Sequence, residues 1–165
     1  MRNKKENEKE IERILLSEYN HYYRMALSYV QKEEDAADIV QSGAYKAIWK
    51  SDSLRQIAYA KTWVYRIMMN EIFTFLRKNK KNVSLEELIE KDKQPETFGK
   101  NDRYENMDLK KALLELCPQD RAILQLKYME GYSLEEIAQI LGKNTNSIKS
   151  RVYRSLKKLK IELEE

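Results

Sequence analysis

Apolar residues recur along this chain at steps of three and four, the period of a helix that buries one face. From about Asn7 to Val30 the stripe is Ile11, Ile14, Leu15, Tyr22, Met25, Ala26 and Tyr29. The polar run Lys32-Glu33-Glu34-Asp35 breaks it. Asp35 is placed to cap a second helix, about 36–49, with Ile39, Val40, Ala44, Ala47 and Ile48 inward. A polar loop begins at Ser51-Asp52-Ser53 and reaches about Ala60. A third helix, about 61–78, has Trp63, Val64, Ile67, Ile72, Phe75 and Leu76 on its core side and ends in the basic cluster Arg77, Lys78, Lys80 and Lys81.

The pattern then lapses. From Val83 to Asp108 eight acids face only four bases, apolar residues thin out, and Pro95 and Gly99 fall inside. That composition predicts a flexible acidic linker, with a helical turn at 85–89. Helical spacing resumes over 109–116, and Pro118 suits the first turn of a helix that runs to Met129 and closes at Gly131. Ser133-Leu134-Glu135-Glu136 has the form of a capping box, in which the Ser hydroxyl and the Glu carboxylate each satisfy a free helix N–H. It opens a short helix, 134–141, with Ile137, Ala138 and Leu141 on one face and Gly142 as its stop. Asn144 can cap the last helix, 145 to about 163, which aligns Ile148, Val152, Leu156, Leu159 and Leu163. The expected fold is all-α: two small helical domains, 1–82 and 107–165, joined by a linker over 83–106, with a helix-turn-helix in the second.

Composition agrees. Four Gly and two Pro in 165 residues are too few for the turns of a many-stranded sheet. No apolar run approaches the roughly 20 residues that span a bilayer, and the charged N-terminus has no signal-peptide core. A cytoplasmic protein without membrane insertion is therefore expected. One Cys, Cys117, excludes an internal disulfide, and with a single His, His21, a Cys/His zinc site is implausible. There is no Gly-rich phosphate loop and no nucleophile paired with a base, so neither a cofactor nor catalysis is expected.

The net charge of +4 matters less than its distribution. Between Lys143 and Ile161 there is no acid, while Lys149, Arg151, Arg154, Lys157, Lys158 and Lys160 fill most of the last helix outside its apolar stripe. A solvated basic face would explain the charge alone. Both caps, the Gly stop and the unbroken basic run together favour a helix that enters a DNA major groove. Asn144, Thr145, Asn146 and Ser147 at its start can hold a phosphate or reach base edges. Lys149 and Arg151 would point outward one turn on, with Arg the better partner for guanine; Arg154, Lys157 and Lys158 suit phosphates. In the first domain Tyr59, Trp63, Tyr65, Phe73 and Phe75 lie among Arg55, Lys61, Arg66, Arg77 and Lys78, a mixture that suits unpaired bases. Trp63 and Phe75 fit the core stripe, which leaves Tyr59 as the stacking candidate. His21 has no obvious partner and reads as structural.

These residues resemble a known family. Asp35-Ala36-Ala37-Asp38-Ile39-Val40-Gln41 with Lys46-Ala47-Ile48-Trp49, and Trp63 through Asn70 with Phe75-Leu76-Arg77-Lys78, resemble the second conserved region of bacterial RNA polymerase sigma factors. Leu116-Cys117-Pro118, Tyr128 through Ser133, Glu135 through Ala138, Leu141-Gly142 and Ile148-Lys149-Ser150-Arg151-Val152-Tyr153-Arg154 resemble the fourth. The short chain, with two regions joined by a linker, is similar to the extracytoplasmic-function subfamily. The resemblance implies a promoter-specificity subunit. The 38–49 helix would dock on the polymerase core through Asp35, Asp38 and Gln41. The 53–60 loop and third helix, with Lys61, Arg66 and Asn70, would stabilise promoter melting by capturing a base from the non-template strand. The last helix, Ser150 included, would read the distal promoter element, the acidic linker would thread the polymerase, and an anti-sigma protein is an implied partner. Where the family usually has an acid, this chain has Ser42, and Gly43 then sits inside a helix at a cost of about 1 kcal/mol against Ala. Two other functions compete. A free-standing helix-turn-helix regulator would usually dimerise, and no heptad helix is present. A small nucleic-acid enzyme would need a metal or nucleophile site.

Overall fold

The computed structural model describes residues 2–82 and 104–164, and the described residues are helical with no strand among them. The expected linker and its turn at 85–89 lie outside them, save that a helix already begins at Tyr104. By contact the chain forms two compact units, Met1–Lys78 with Ala138–Lys143, and Asn79–Ile137 with Asn144–Glu165.

The first is built on α1 (Arg2–Val30), α2 (Glu33–Trp49) and α3 (Ala60–Asn82). α1 starts at Arg2, five residues before the expected start at Asn7. It ends where Gln31 turns left-handed, at φ 64°, and gives its N–H to Leu27 O at 2.8 Å. α2 then begins earlier than expected: Lys32 is its N-cap residue, with no side-chain cap, so Asp35 lies in the first turn instead of capping it. Glu33, Glu34 and Asp35 there complement the positive end of the helix dipole. The core joins Ile11, Ile14, Tyr22 and Ala26 of α1 with Ala36, Ile39, Val40 and Ala47 of α2 and Val64, Tyr65, Met68, Met69 and Ile72 of α3. The inward face of α3 is thus rotated from the expected one. Tyr65 is buried edge-on against Tyr22, at 5.4 Å between centroids, while Trp63, Ile67, Phe75 and Leu76 are only half-buried. Ile48 is likewise exposed, not inward. His21 has a partner after all, with Nε2 3.4 Å from the Tyr65 hydroxyl.

Gly43 has a packing reason. A Cβ there would stand 2.5 Å from Met68 Sδ, so the missing side chain is what leaves room on α2 for the Met68 thioether of α3. Beside it Glu71 accepts from Ser42 Oγ at 3.1 Å and pairs with Lys46. The residue that departs from the expected acid at position 42 is therefore spent on an interhelix bond.

The second unit contains α4 (Tyr104–Glu115), α5 (Pro118–Leu124) and α7 (Thr145–Glu164), with α7 packed on both α4 and α5. Pro118 disfavours helix at the preceding residue, and Cys117 is accordingly extended. The helix expected to run to Met129 widens to a π turn over Gln125–Met129, which Gly131 closes at φ 75°. Next along the chain is α6 (Leu134–Leu141). Both arms of its capping box form: Glu136 N–H to Ser133 Oγ at 3.1 Å and Ser133 N–H to Glu136 Oε1 at 2.9 Å. Gly142 leaves the helix at φ 66°.

Candidate nucleic-acid interface

α7 carries the clearest basic surface. Asn144 Oδ1 accepts the Ser147 N–H at 2.7 Å, so that oxygen caps the helix. Ile148, Val152, Ser155 and Leu159 form the buried side. Ser155 occupies the place expected for Leu156, which is exposed. The burial of Leu163 lies outside the described side chains. The opposite side presents Asn146, Lys149, Ser150, Tyr153, Arg154, Lys157 and Lys158, with Thr145 and Ser147 half-buried at its start. Tyr153, 77% exposed, stands between Ser150 and Arg154 on this face. A tyrosine within an apolar-and-basic helix gave no signal by spacing, and only burial separates it from the core.

Arg151 is not on that open face. Its Nη1 donates to Gln119 Oε1 at 3.1 Å and to Asp120 Oδ1 at 3.2 Å, and its side chain is 27% exposed. It bridges α7 to α5. For Arg151 to reach a base, this bridge must open first, whereas Lys149 and Arg154 are exposed as they stand.

In the first unit two surfaces separate. On α2, Asp35 is half-buried and Asp38 and Gln41 are exposed. The same helix ends in Tyr45 and Trp49, 67% and 71% exposed, their rings stacked 6.2 Å apart. A polar patch thus runs into an aromatic one, a composition suited to a protein surface rather than to phosphates.

The other surface is the loop before α3 and the outer side of that helix. The expected polar loop is two 3-10 turns, Ser51–Ser53 and Ile57–Tyr59. Arg55, Gln56, Ile57, Ala58 and Tyr59 are all exposed, between the buried Leu54 and Ala60. Tyr59 N–H bonds Gln56 O at 3.0 Å, and its own carbonyl accepts from Thr62 Oγ1 at 3.1 Å, so the backbone that carries the ring is fixed at both sides. Along α3, Lys61, Arg66, Asn70 and Arg77 are exposed, the last three in helical register. An aromatic on fixed backbone, beside cations, can stack an unpaired base and track its backbone. Asn7, which sequence reasoning treated only as the start of a helix, reaches this loop from α1. Its Nδ2 donates to Ser51 O at 2.8 Å and Leu54 O at 2.9 Å.

Among the described residues no group of His, Cys, Asp or Glu could hold a metal, and no helix is long and apolar enough to cross a membrane.

Comparison with known proteins matches residues 15–82 to the family Sigma-70 region 2 and residues 106–159 to Sigma-70, region 4. The chain is 42% identical over 143 residues to the RNA polymerase sigma factor SigV of Bacillus subtilis (strain 168), spanning 86% of this chain and 84% of that one. Identity to the RNA polymerase sigma-E factor of Streptomyces coelicolor is 28% over 155 residues, 93% of this chain and 86% of that one. Among solved structures, the sigma factor RpoE of Bartonella quintana, in complex with the anti-sigma factor NepR, aligns at a TM-score of 0.71 with 29% identity, over 94% of this chain and 98% of that one.

Proposed function

The chain belongs to the sigma-70 family, in its extracytoplasmic-function group, and is a promoter-specificity subunit of RNA polymerase; from that premise we propose how its residues divide the work. Two sigma regions in the family's order on one chain carry this reading. A free-standing helix-turn-helix regulator has no use for the first of them. The protein is a regulatory subunit, and we take it to catalyse no step of its own and to act in the cytoplasm, where polymerase and promoter are. Residues 1–82 are assigned to polymerase core and the proximal promoter element, 83–106 to the connection, and 107–165 to the distal element.

Core binding is assigned to Asp35, Asp38 and Gln41, continued by the stacked Tyr45 and Trp49. Promoter melting is assigned to Tyr59, Lys61, Arg66, Asn70 and Arg77. Extruding a base costs a few kcal/mol, roughly what one stacking contact and a few charge contacts return. A ring carried on backbone that is fixed before the base arrives has less freedom to lose on binding, which favours Tyr59. The distal element is assigned to α7. Asn144, Thr145, Asn146 and Ser147 present the helix start to a phosphate or base edge, and Lys149, Ser150, Tyr153, Arg154 and Lys158 face the groove. Arg151 holds that helix to α5 and reaches DNA only by exchanging Asp120 for it. An anti-sigma protein, such as accompanies the Bartonella relative, is the proposed antagonist.

Run-off transcription with bacterial core polymerase on a promoter library tests the reading. Transcripts that require this protein, from promoters sharing two elements, are expected. Failure of the protein to bind core would favour the free-standing regulator.

A further inference from the structure

We infer that Asn7 is a positioning residue for promoter melting: from the start of α1 it fixes the near end of the loop that presents Tyr59. The inference rests on the assignment of that loop above.

Asn7 is only 4% exposed, and Ser51 and Leu54, whose carbonyls it holds, are buried too. A primary amide has two N–H donors, and here both are used on carbonyls three residues apart, at 2.8 and 2.9 Å. Losing a donor to a buried carbonyl is costly; Ser51 O would keep the Leu54 N–H, at 3.2 Å, but the hydrogen-bonded link from α1 to both carbonyls runs through this one side chain. No near substitute works. Leu has no donor, Asp would aim oxygens at oxygens, and Gln is a methylene too long for a packed site. Asn is also a poor residue for a helix interior, so its presence in α1 opposes local preference.

The location of the two carbonyls gives the role. They belong to the turn immediately before Arg55–Tyr59, the five exposed residues that follow Leu54. At the far end Thr62 and the buried Ala60 hold the loop. The segment is therefore tethered at both ends and free of burial between them. Such a loop is restrained before nucleic acid arrives and has less conformational freedom to lose on binding. Releasing one end would leave the helices packed and the loop disordered.

The test uses the full-length protein with Asn7→Asp and, as a neutral second variant, Asn7→Leu. Amide hydrogen exchange on the free protein reads the tether directly. We expect at least tenfold faster exchange at Ser53, Leu54 and Tyr59, whose N–H groups are bonded within the two turns, and little change in α2 and α3. Open-complex formation with core polymerase, on a promoter recovered by the run-off selection, should fall about tenfold or more, as expected for two lost buried hydrogen bonds, with core affinity unchanged. In a Tyr59→Ala background, Asn7→Asp should cause little further loss, because it acts through that ring. Wild-type exchange rates in the loop of both variants would overturn the inference. So would an equal fall in core affinity and in protection of α2 and α3, or full additivity with Tyr59→Ala. If wild-type protein directs no promoter-dependent transcript, the functional assignment fails, while the exchange result still decides whether Asn7 tethers the loop.

Discussion

Single side chains here do work that their type alone does not disclose. Arg154 is exposed on α7 and lies clear of the Arg151–Asp120 bridge. As a phosphate contact, Arg154→Ala should weaken binding to all duplexes alike. It should also reduce the slope of log K against log salt by about 1; a fluorescence-anisotropy salt titration measures this, and an unchanged slope would remove the residue from the interface. Gly43 presents opposing terms. Alanine there gains about 1 kcal/mol of helix propensity but brings a methyl against Met68, and overpacking costs about 1–3 kcal/mol. Gly43→Ala should therefore lower stability by about 1 kcal/mol net, as a lower urea midpoint at constant slope. A raised midpoint would mean that Met68 moves aside freely.

At the scale of elements, helix existence was legible and helix faces were less so. Ser133, Glu136, Asn144 and Gly142 act as their types predict, because a cap is a local bargain between a side chain and the next turn. On the inward side of α3 Val64 and Ile72 are buried as their spacing predicts, whereas Trp63, Ile67, Phe75 and Leu76 are not. Val64, Tyr65, Met68, Met69 and Ile72 share the buried face with neighbours that are nearly as apolar, so a stripe of three and four had two solutions. Which one holds is set by the helices it meets, through Gly43 and Tyr22, and those are distant in sequence. The Arg151 bridge and the Asn7 tether were hidden for the same reason. The end of α1 offers a local test. Gln31 adopts φ 64°, where a Cβ costs about 1–2 kcal/mol. Gln31→Gly removes that strain at some entropic cost in the unfolded chain, so we expect a net gain of about 0.5–1 kcal/mol. Thermal unfolding should show a higher midpoint; a fall would mean that the Gln side chain contributes more than the strain costs.

For the whole molecule the assignment separates polymerase contact from DNA contact. Asp38 is exposed on α2, a helix that carries none of the cations proposed to meet DNA. Asp38→Arg should reduce association with core polymerase at least tenfold while leaving duplex binding by α7 intact, measured by co-sedimentation and by anisotropy on the same preparation. Normal association would move the core-binding surface elsewhere. The tether at Asn7 has a consequence for handling the protein. The opening residues are charged and lie at a chain terminus, the sort of segment usually trimmed or extended without thought. Here a deletion through residue 10 would take away the hydrogen-bond donor to a turn more than forty positions later. A shortened chain could keep its folded core and its grip on the polymerase yet open promoters poorly, and the fault would be sought at the loop instead of at the missing end.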